Sequence, residues 1–375
     1  MKFECWNCKF IMETDISNEK CIHCGSEWIE PVYDYEEILK RADRIFNNEI
    51  TNLWKYIDFL PILSKDNIIT LEEGGTPLIR ARNLSKKYNI ELYIKDEGLQ
   101  PPTYTFKNRG GTLAVSGLKQ NRHNRVALYS TGNIGVAFSY YCKKGGIEVF
   151  IFCPKDIAPD KIEEMENNGA KVTVVDGTYV DAMSECRAFA KNNNIYMDSG
   201  AKSIYRRASK KTIAFEIFEQ LNRKAPGWYF QSVSGGLGPL GIYTAFNELK
   251  QMGMIKRIPA IGCVQVDGCN PMYQSFIKNT ETITTIESPT TNITTLATGK
   301  PMSYPYVFKA VKSSGGIIES VPEEECYKTN ELLFKEEGIV SSPASVAALA
   351  GIIKLSKSDF LKDQGSIVFV STGRK

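Results

Sequence analysis

The sequence carries no large excess of charge, no apolar run long enough to span a bilayer and no apolar signal-peptide core in residues 1–30. Each absence removes a class of function. Lys and Arg total 46 against 43 Asp and Glu, a formal charge of +3 over 375 residues, so neither a nucleic acid nor a membrane surface is expected as a partner. Without a leader or a spanning segment, the expected location is the cytoplasm. There is no internal repeat and no low-complexity tract. A disulfide framework is missing as well. Six of the ten cysteines (Cys142, Cys153, Cys186, Cys263, Cys269 and Cys326) are scattered, mostly in apolar surroundings, and read as small buried hydrophobes.

The other four are grouped. Cys5-Trp6-Asn7-Cys8 and Cys21-Ile22-His23-Cys24 form two CxxC pairs separated by a twelve-residue spacer. Each pair can approach one ion from a tight turn, and two such turns build a tetrahedral four-thiolate site. The expected metal is Zn2+ held by Cys5, Cys8, Cys21 and Cys24, with His23 a bystander. Four protein ligands leave no open position, so its role is structural.

The rest of the chain, with 42% hydrophobic residues overall, is long enough for two full cores. Residues 34–64 have an amphipathic helical pattern with Leu39, Ala42, Ile45, Phe46, Leu53 and Trp54 available for one face. Strand-like and helix-like runs then alternate at 91–95, 109–119, 125–129, 132–144, 148–153, 161–168 and 171–175. A second series occupies 228–233, 237–251, 260–266 and 366–371. Alternation of this kind predicts βαβ units and mostly parallel sheets covered by helices. Residues 280–298, rich in threonine, show neither period and read as a loop. The fold class is therefore α/β, with two doubly wound domains behind a small N-terminal zinc ribbon.

Four short motifs carry the chemistry. Lys107 lies in Pro102-Thr103-Tyr104-Thr105-Phe106-Lys107-Asn108-Arg109-Gly110, a setting that suits a buried, nucleophilic amine able to form a Schiff base. Ser130-Thr131-Gly132-Asn133-Ile134-Gly135 joins a strand to a helix, as a helix cap or as a ligand-facing turn at the sheet's carboxyl edge. Ser232-Val233-Ser234-Gly235-Gly236-Leu237-Gly238 is a second such turn, richer in glycine. It has neither the GK[ST] ending nor the GxGxxG spacing, but its backbone N–H groups and following helix suit a phosphate. Ser371-Thr372-Gly373 follows the last strand, with hydroxyls that face a ligand or simply end the strand.

In this order the motifs resemble the fold-type II family of pyridoxal-phosphate enzymes, and within it the threonine synthase branch. The branch resemblance runs from Cys5 to the end. It includes Leu53-Trp54-Lys55-Tyr56, Leu71-Glu72-Glu73-Gly74-Gly75-Thr76-Pro77-Leu78, Lys211-Thr212-Ile213-Ala214-Phe215-Glu216, Thr298-Gly299-Lys300-Pro301 and Ser342-Pro343-Ala344-Ser345. It implies pyridoxal 5'-phosphate as cofactor, Lys107 as the Schiff-base and catalytic lysine, and Asn133 as the partner of the pyridoxal 3′-oxygen. It further implies Gly235, Gly236, Leu237 and Gly238 as the phosphate loop, and Thr372 as the hydroxyl opposite the pyridine nitrogen. Tyr104, Thr105, Ser130 and Thr131 fall where the substrate is expected. The implied organisation is a ribbon over 1–30, a large cofactor-binding domain from 31–110 and 201–375, and a small α/β domain over 111–200, in a homodimer acting on a small amino acid.

Departures from the family concern the substrate. Tyr104 stands where a glycine is usual, Asn108 replaces an aspartate beside the lysine, and Ser234 replaces the first glycine of the phosphate loop. The expected reaction is conversion of O-phosphohomoserine and water to threonine and phosphate. β-Replacement on O-phosphoserine (as in cysteate or cysteine synthases), dehydration of threonine or serine, and a non-catalytic relative are the alternatives.

Overall fold

The structure, a computed structural model, describes residues 1–13, 20–47, 49 and 51–374. Its described residues divide into two units. One comprises Met1–Glu73, Pro101–Thr103 and Lys107–Ser209, the other Gly74–Gln100, Tyr104–Phe106 and Lys210–Lys375. Among the described residues no helix is long and apolar enough to cross a membrane.

The first unit begins with a three-stranded antiparallel sheet, in which Lys2–Cys5 pairs with Ile11–Glu13 on one side and Ile29–Val32 on the other. The helix expected over 34–64 is shorter than its pattern. Asp34 caps it by accepting the Glu37 N–H, and it runs Tyr35–Phe46. Asn52 then caps a separate 3₁₀ turn, Leu53–Phe59; Asn48 and Ile50 lie outside the described residues. Ile38 is buried on this helix and Leu39 is exposed, one position from the expected face.

Four parallel strands follow in the order Lys171–Val175, Glu148–Pro154, Arg125–Tyr129 and Tyr196–Met197. Helices Asn133–Gly145 and Pro159–Asn167 connect them as βαβ crossovers. Helix Lys107–Gln120 packs on Asn133–Gly145, where a Cβ on Gly111 would stand 2.6 Å from Tyr141. Leu53, Trp54, Leu60 and Ile69 share one buried cluster with Leu113, Val126, Phe138 and Ile151. Residues 53–69 therefore group with this sheet, although they fall inside the 31–110 stretch expected for the other domain.

In the second unit the strand order is Ile317–Val321, Ala260–Val266, Trp228–Ser232, Ser366–Ser371, Glu91–Asp96 and Leu78–Arg80, all parallel except the last. Helix Pro343–Ser356 is apolar nearly all round and buried, as a helix packed between the sheet and helix Glu323–Glu337 must be. Residues 280–298 contain only the 3₁₀ turn Thr294–Leu296. The six scattered cysteines are all buried and unpaired.

Candidate active site

In the first unit Lys107 opens helix Lys107–Gln120. Burial, and secondarily the positive charge of Arg206, lower its ammonium pKa to about 8. Arg206 was not singled out from the sequence. Its Nη1 lies 2.6 Å from Asp198 Oδ1, and Asp198 also accepts the Gly200 N–H at 3.0 Å. Asn108, next to the lysine, is fully buried. Its Oδ1 accepts from Thr103 Oγ1 at 2.8 Å and its Nδ2 donates to the Pro101 carbonyl at 3.0 Å. An aspartate could not make the second bond, which accounts for the amide at this position.

The turn that follows strand Arg125–Tyr129 is braced from within. Ser130 Oγ accepts the N–H groups of Gly132 and Gly135, both at 3.0 Å. This expected substrate residue is thus committed to the backbone of its own loop. Gly132 has φ +136, and Gly135 lies so near Met165 that a Cβ would meet the sulfur at 2.7 Å. The turn delivers Asn133 as the first residue of helix Asn133–Gly145. Among the described residues its half-buried side-chain amide has no hydrogen-bond partner, and Thr131 is exposed.

In the second unit the glycine loop leads from strand Trp228–Ser232 into helix Leu237–Gln251. Gly236 has φ +76, and a Cβ there would stand 2.6 Å from Val307; one on Gly238 would stand 2.2 Å from the Gln231 amide, while one on Gly235 would meet only Leu237, at 3.8 Å. Ser303 donates its hydroxyl to the Gly235 carbonyl, and Ser234 Oγ lies 2.5 Å from Thr298 Oγ1. The loop is held by its carbonyls and hydroxyls. Among the described residues the N–H groups of Gly235, Gly236, Leu237 and Gly238 have no acceptor, and they stand at the positive end of the helix.

Thr372 follows strand Ser366–Ser371, with its Oγ1 2.9 Å from Ser345 Oγ. The Phe106 N–H donates to the Thr372 carbonyl at 2.9 Å, the Arg374 N–H donates to the Tyr104 carbonyl at 3.1 Å, and Thr105 bridges to Gly373. The segment preceding Lys107 is therefore stitched to the segment carrying Thr372. Thr105 is buried, whereas Tyr104 is 41% exposed and keeps a left-handed backbone, φ +54, the conformation that glycine adopts without steric cost.

In the ribbon the four expected sulfurs come together. Cys5 Sγ is 3.6 Å from Cys24 Sγ, Cys8 Sγ is 3.7 Å from Cys21 Sγ, and all four lie within 4.8 Å of one another. These separations are far longer than a disulfide bond of about 2.05 Å. They match the edge, about 3.8 Å, of a tetrahedron with metal–sulfur bonds of about 2.3 Å. His23 stacks on Phe10 at 5.3 Å and is not one of the four.

A family model described as pyridoxal-phosphate dependent enzyme matches residues 69–373. The chain belongs to this pyridoxal-phosphate dependent enzyme family. It is 33% identical to threonine synthase of Methanocaldococcus jannaschii over 373 residues, covering 95% of this chain and 91% of that protein. It is 32% identical to threonine synthase of Methanosarcina acetivorans, covering 94% and 90%. Among solved structures, threonine deaminase isoform 2 of Solanum lycopersicum matches with a TM-score of 0.71 at 18% identity, covering 92% of this chain and 86% of that one. Maize serine racemase matches with a TM-score of 0.70 at 18% identity, covering 80% and 89%. These two likenesses show the pyridoxal-phosphate enzyme fold.

Proposed function

We propose that the protein is a threonine synthase-type enzyme that converts O-phosphohomoserine and water to threonine and inorganic phosphate. The homodimeric, cytoplasmic enzyme implied by the family resemblance belongs to the same proposal. The observation that carries it is the 33% and 32% identity to threonine synthases over more than nine-tenths of this chain; the positive charge of Arg206, which bears on Lys107 after burial, supplies the fixed cation that a phosphate leaving group calls for.

The residues fit pyridoxal phosphate. Lys107 would hold it, Gly235, Gly236, Leu237 and Gly238 would give their unused N–H groups to its phosphate, and the Asn133 amide would bond its ring oxygen. When bound, the cofactor supplies an electron sink for bond breaking at the substrate's carbons. Thr372, matched to the residue opposite the ring nitrogen, would offer it a hydroxyl and not a carboxylate, a setting that would favour elimination and replacement over transamination. The Lys107 amine, neutral above about pH 8, would serve as the base that takes the proton from the substrate's Cα. Arg206 would hold the departing phosphate, and its bond to Asp198 fixes the guanidinium before substrate arrives.

A second reading, β-replacement on O-phosphoserine, follows from Tyr104, a phenol where the resembled family carries a glycine beside the substrate. One experiment separates the readings: release of phosphate, ammonia and keto acid measured in parallel on O-phosphohomoserine, O-phosphoserine, threonine and serine. Phosphate and threonine from O-phosphohomoserine are expected. Ammonia and keto acid from threonine, with O-phosphohomoserine untouched, would overturn the proposal. Tyr104→Gly is expected to shift relative rates across this panel by about 1–3 kcal/mol in discrimination, with cofactor absorbance intact; unchanged ratios would place the ring outside the substrate's reach.

The four ribbon thiolates would hold one structural Zn2+. The four thiols hydrogen-bond one another: burial raises the Cys5 pKa, but backbone N–H groups and the Cys24 and Cys8 thiols bring it down to about 7. The Phe10 N–H lowers Cys8, but burial and its sulfur neighbours push it up to about 12, so metal binding would have to displace the shared protons. Metal analysis under reducing conditions is expected to give about one equivalent per chain, lost in Cys8→Ser. Metal-free protein with four titratable thiols would rule the site out.

A further inference from the structure

Arg206 has a neighbour whose burial the reaction does not explain. Arg207 is 1% exposed, among the largest fully buried side chains of the protein. Burying a guanidinium is costly unless it is paired and its donors are satisfied, and here most of the partners come from the N-terminal ribbon. Arg207 Nε and Nη2 lie 3.2 and 3.1 Å from Glu30 Oε2, and Nη2 also donates to the Ile29 carbonyl. The guanidinium carbon lies 5.1 Å from the ring centre of Trp6 and 5.3 Å from that of Trp28, close enough for attraction to both π faces. Nη1 is held by the carbonyls of Ala201 and Lys202, and Lys202 pairs with Glu27 of the ribbon.

The ribbon side of this clamp is tied to the thiol cluster. Trp6 lies inside the first CxxC pair, between Cys5 and Cys8. Its N–H donates to the Trp28 carbonyl at 2.9 Å, and Cys5 is paired with Ile29 in the antiparallel sheet. Gathering the four sulfurs therefore sets the position of both indoles. On the other side, Arg206 and Arg207 are consecutive residues in the first turn of helix Ile204–Gln220, about 100° apart around its axis. One faces the ribbon while the other reaches Asp198, so fixing Arg207 fixes the helical turn from which Arg206 extends.

We propose that Arg207 is a positioning residue: clamped by the ribbon's Trp6, Trp28 and Glu30, it holds Arg206 in place to receive the substrate's phosphate. The ribbon is then part of the specificity apparatus, and the fold of its four-cysteine cluster bears on the active site through one arginine. The inference rests on the proposed phosphate-bearing substrate, and the test below separates the two.

The test uses the cofactor-loaded, zinc-loaded protein and inorganic phosphate as probe, measured by titration calorimetry alongside kcat and KM for O-phosphohomoserine. Arg207→Met is expected to weaken phosphate binding roughly tenfold, as loss of a well-placed charge-assisted hydrogen bond would. KM should rise in proportion, with kcat and the cofactor absorbance little changed. In an Arg206→Gln background the same change should add no further loss, because the group it positions is already gone. Trp6→Leu, which removes one indole and leaves every metal ligand and both arginines, should reproduce the effect if Arg207→Met does not fold. Unchanged phosphate affinity in folded, zinc-loaded Arg207→Met or Trp6→Leu would overturn the inference, as would an equal loss in the Arg206→Gln background. Wild-type protein that neither binds phosphate nor releases it from O-phosphohomoserine would instead overturn the functional proposal, and this inference with it.

Discussion

Lys107→Ala is expected to abolish turnover. Loss of the base alone lowers such rates by roughly 10²–10⁴-fold, and loss of the covalent attachment for the cofactor adds to it. Lys95, Lys210 and Lys211, also buried, make the natural controls. Lys95 Nζ stands 2.7 Å from Glu216, Lys211 Nζ stands 2.7 Å from Glu248, and Lys210 donates to the Phe106 carbonyl at 2.7 Å. At Lys107 burial and a neighbouring arginine favour the neutral amine. Lys211→Met is accordingly expected to lower stability while leaving cofactor absorbance in the surviving folded protein. Steady-state rates and absorbance spectra of both variants check this. Lys107→Ala turning over at the wild-type rate would contradict the assignment.

Arg206→Gln is expected to have the next largest effect. A charge-assisted bond to phosphate is worth about 1.5–3 kcal/mol, so kcat/KM for O-phosphohomoserine should fall roughly 10- to 100-fold, while any activity on serine or threonine is spared. The pH dependence should move too. With Arg206 present, the Lys107 amine becomes neutral as pH rises through about 8, so uptake of the cofactor by apoprotein should increase across that range. Removing the positive neighbour stabilises the ammonium, and the rise should shift to higher pH. The shift should be small, because burial is the larger of the two causes. A shift to lower pH, or an equal loss on all four substrates, would contradict the role given to Arg206.

The residues most visible in the sequence were those with unusual local chemistry. Strands Ala260–Val266 and Ser366–Ser371 occur where apolar runs bounded by turn residues place them, because a strand within a parallel sheet has little polar character to blur its limits. The helix expected over 34–64 ends at Phe46 because apolar spacing continues through 53–54 while Asn52 caps a new turn; periodicity alone does not register such a restart. Lys107, Asn133 and the glycine loop stood out because few structures need that spacing of lysine, amide and glycines. Arg206 did not, since its relation to Lys107 spans almost a hundred residues of chain and exists only in the folded unit. The one local signal was two consecutive arginines opening an otherwise buried helix. The inward turn of Ser130 was equally hidden, because a hydroxyl in a strand-to-helix turn has the same sequence whether it faces a ligand or its own backbone.

The central claim, that this chain holds pyridoxal phosphate on Lys107, is tested most directly by borohydride reduction of the cofactor-loaded protein followed by peptide mass mapping. The pyridoxyl group should be found on the peptide containing Phe106-Lys107-Asn108, at about one per chain, and nowhere else. A pyridoxyl group on Lys95, Lys210 or Lys211, or no stable incorporation into folded protein, would contradict it.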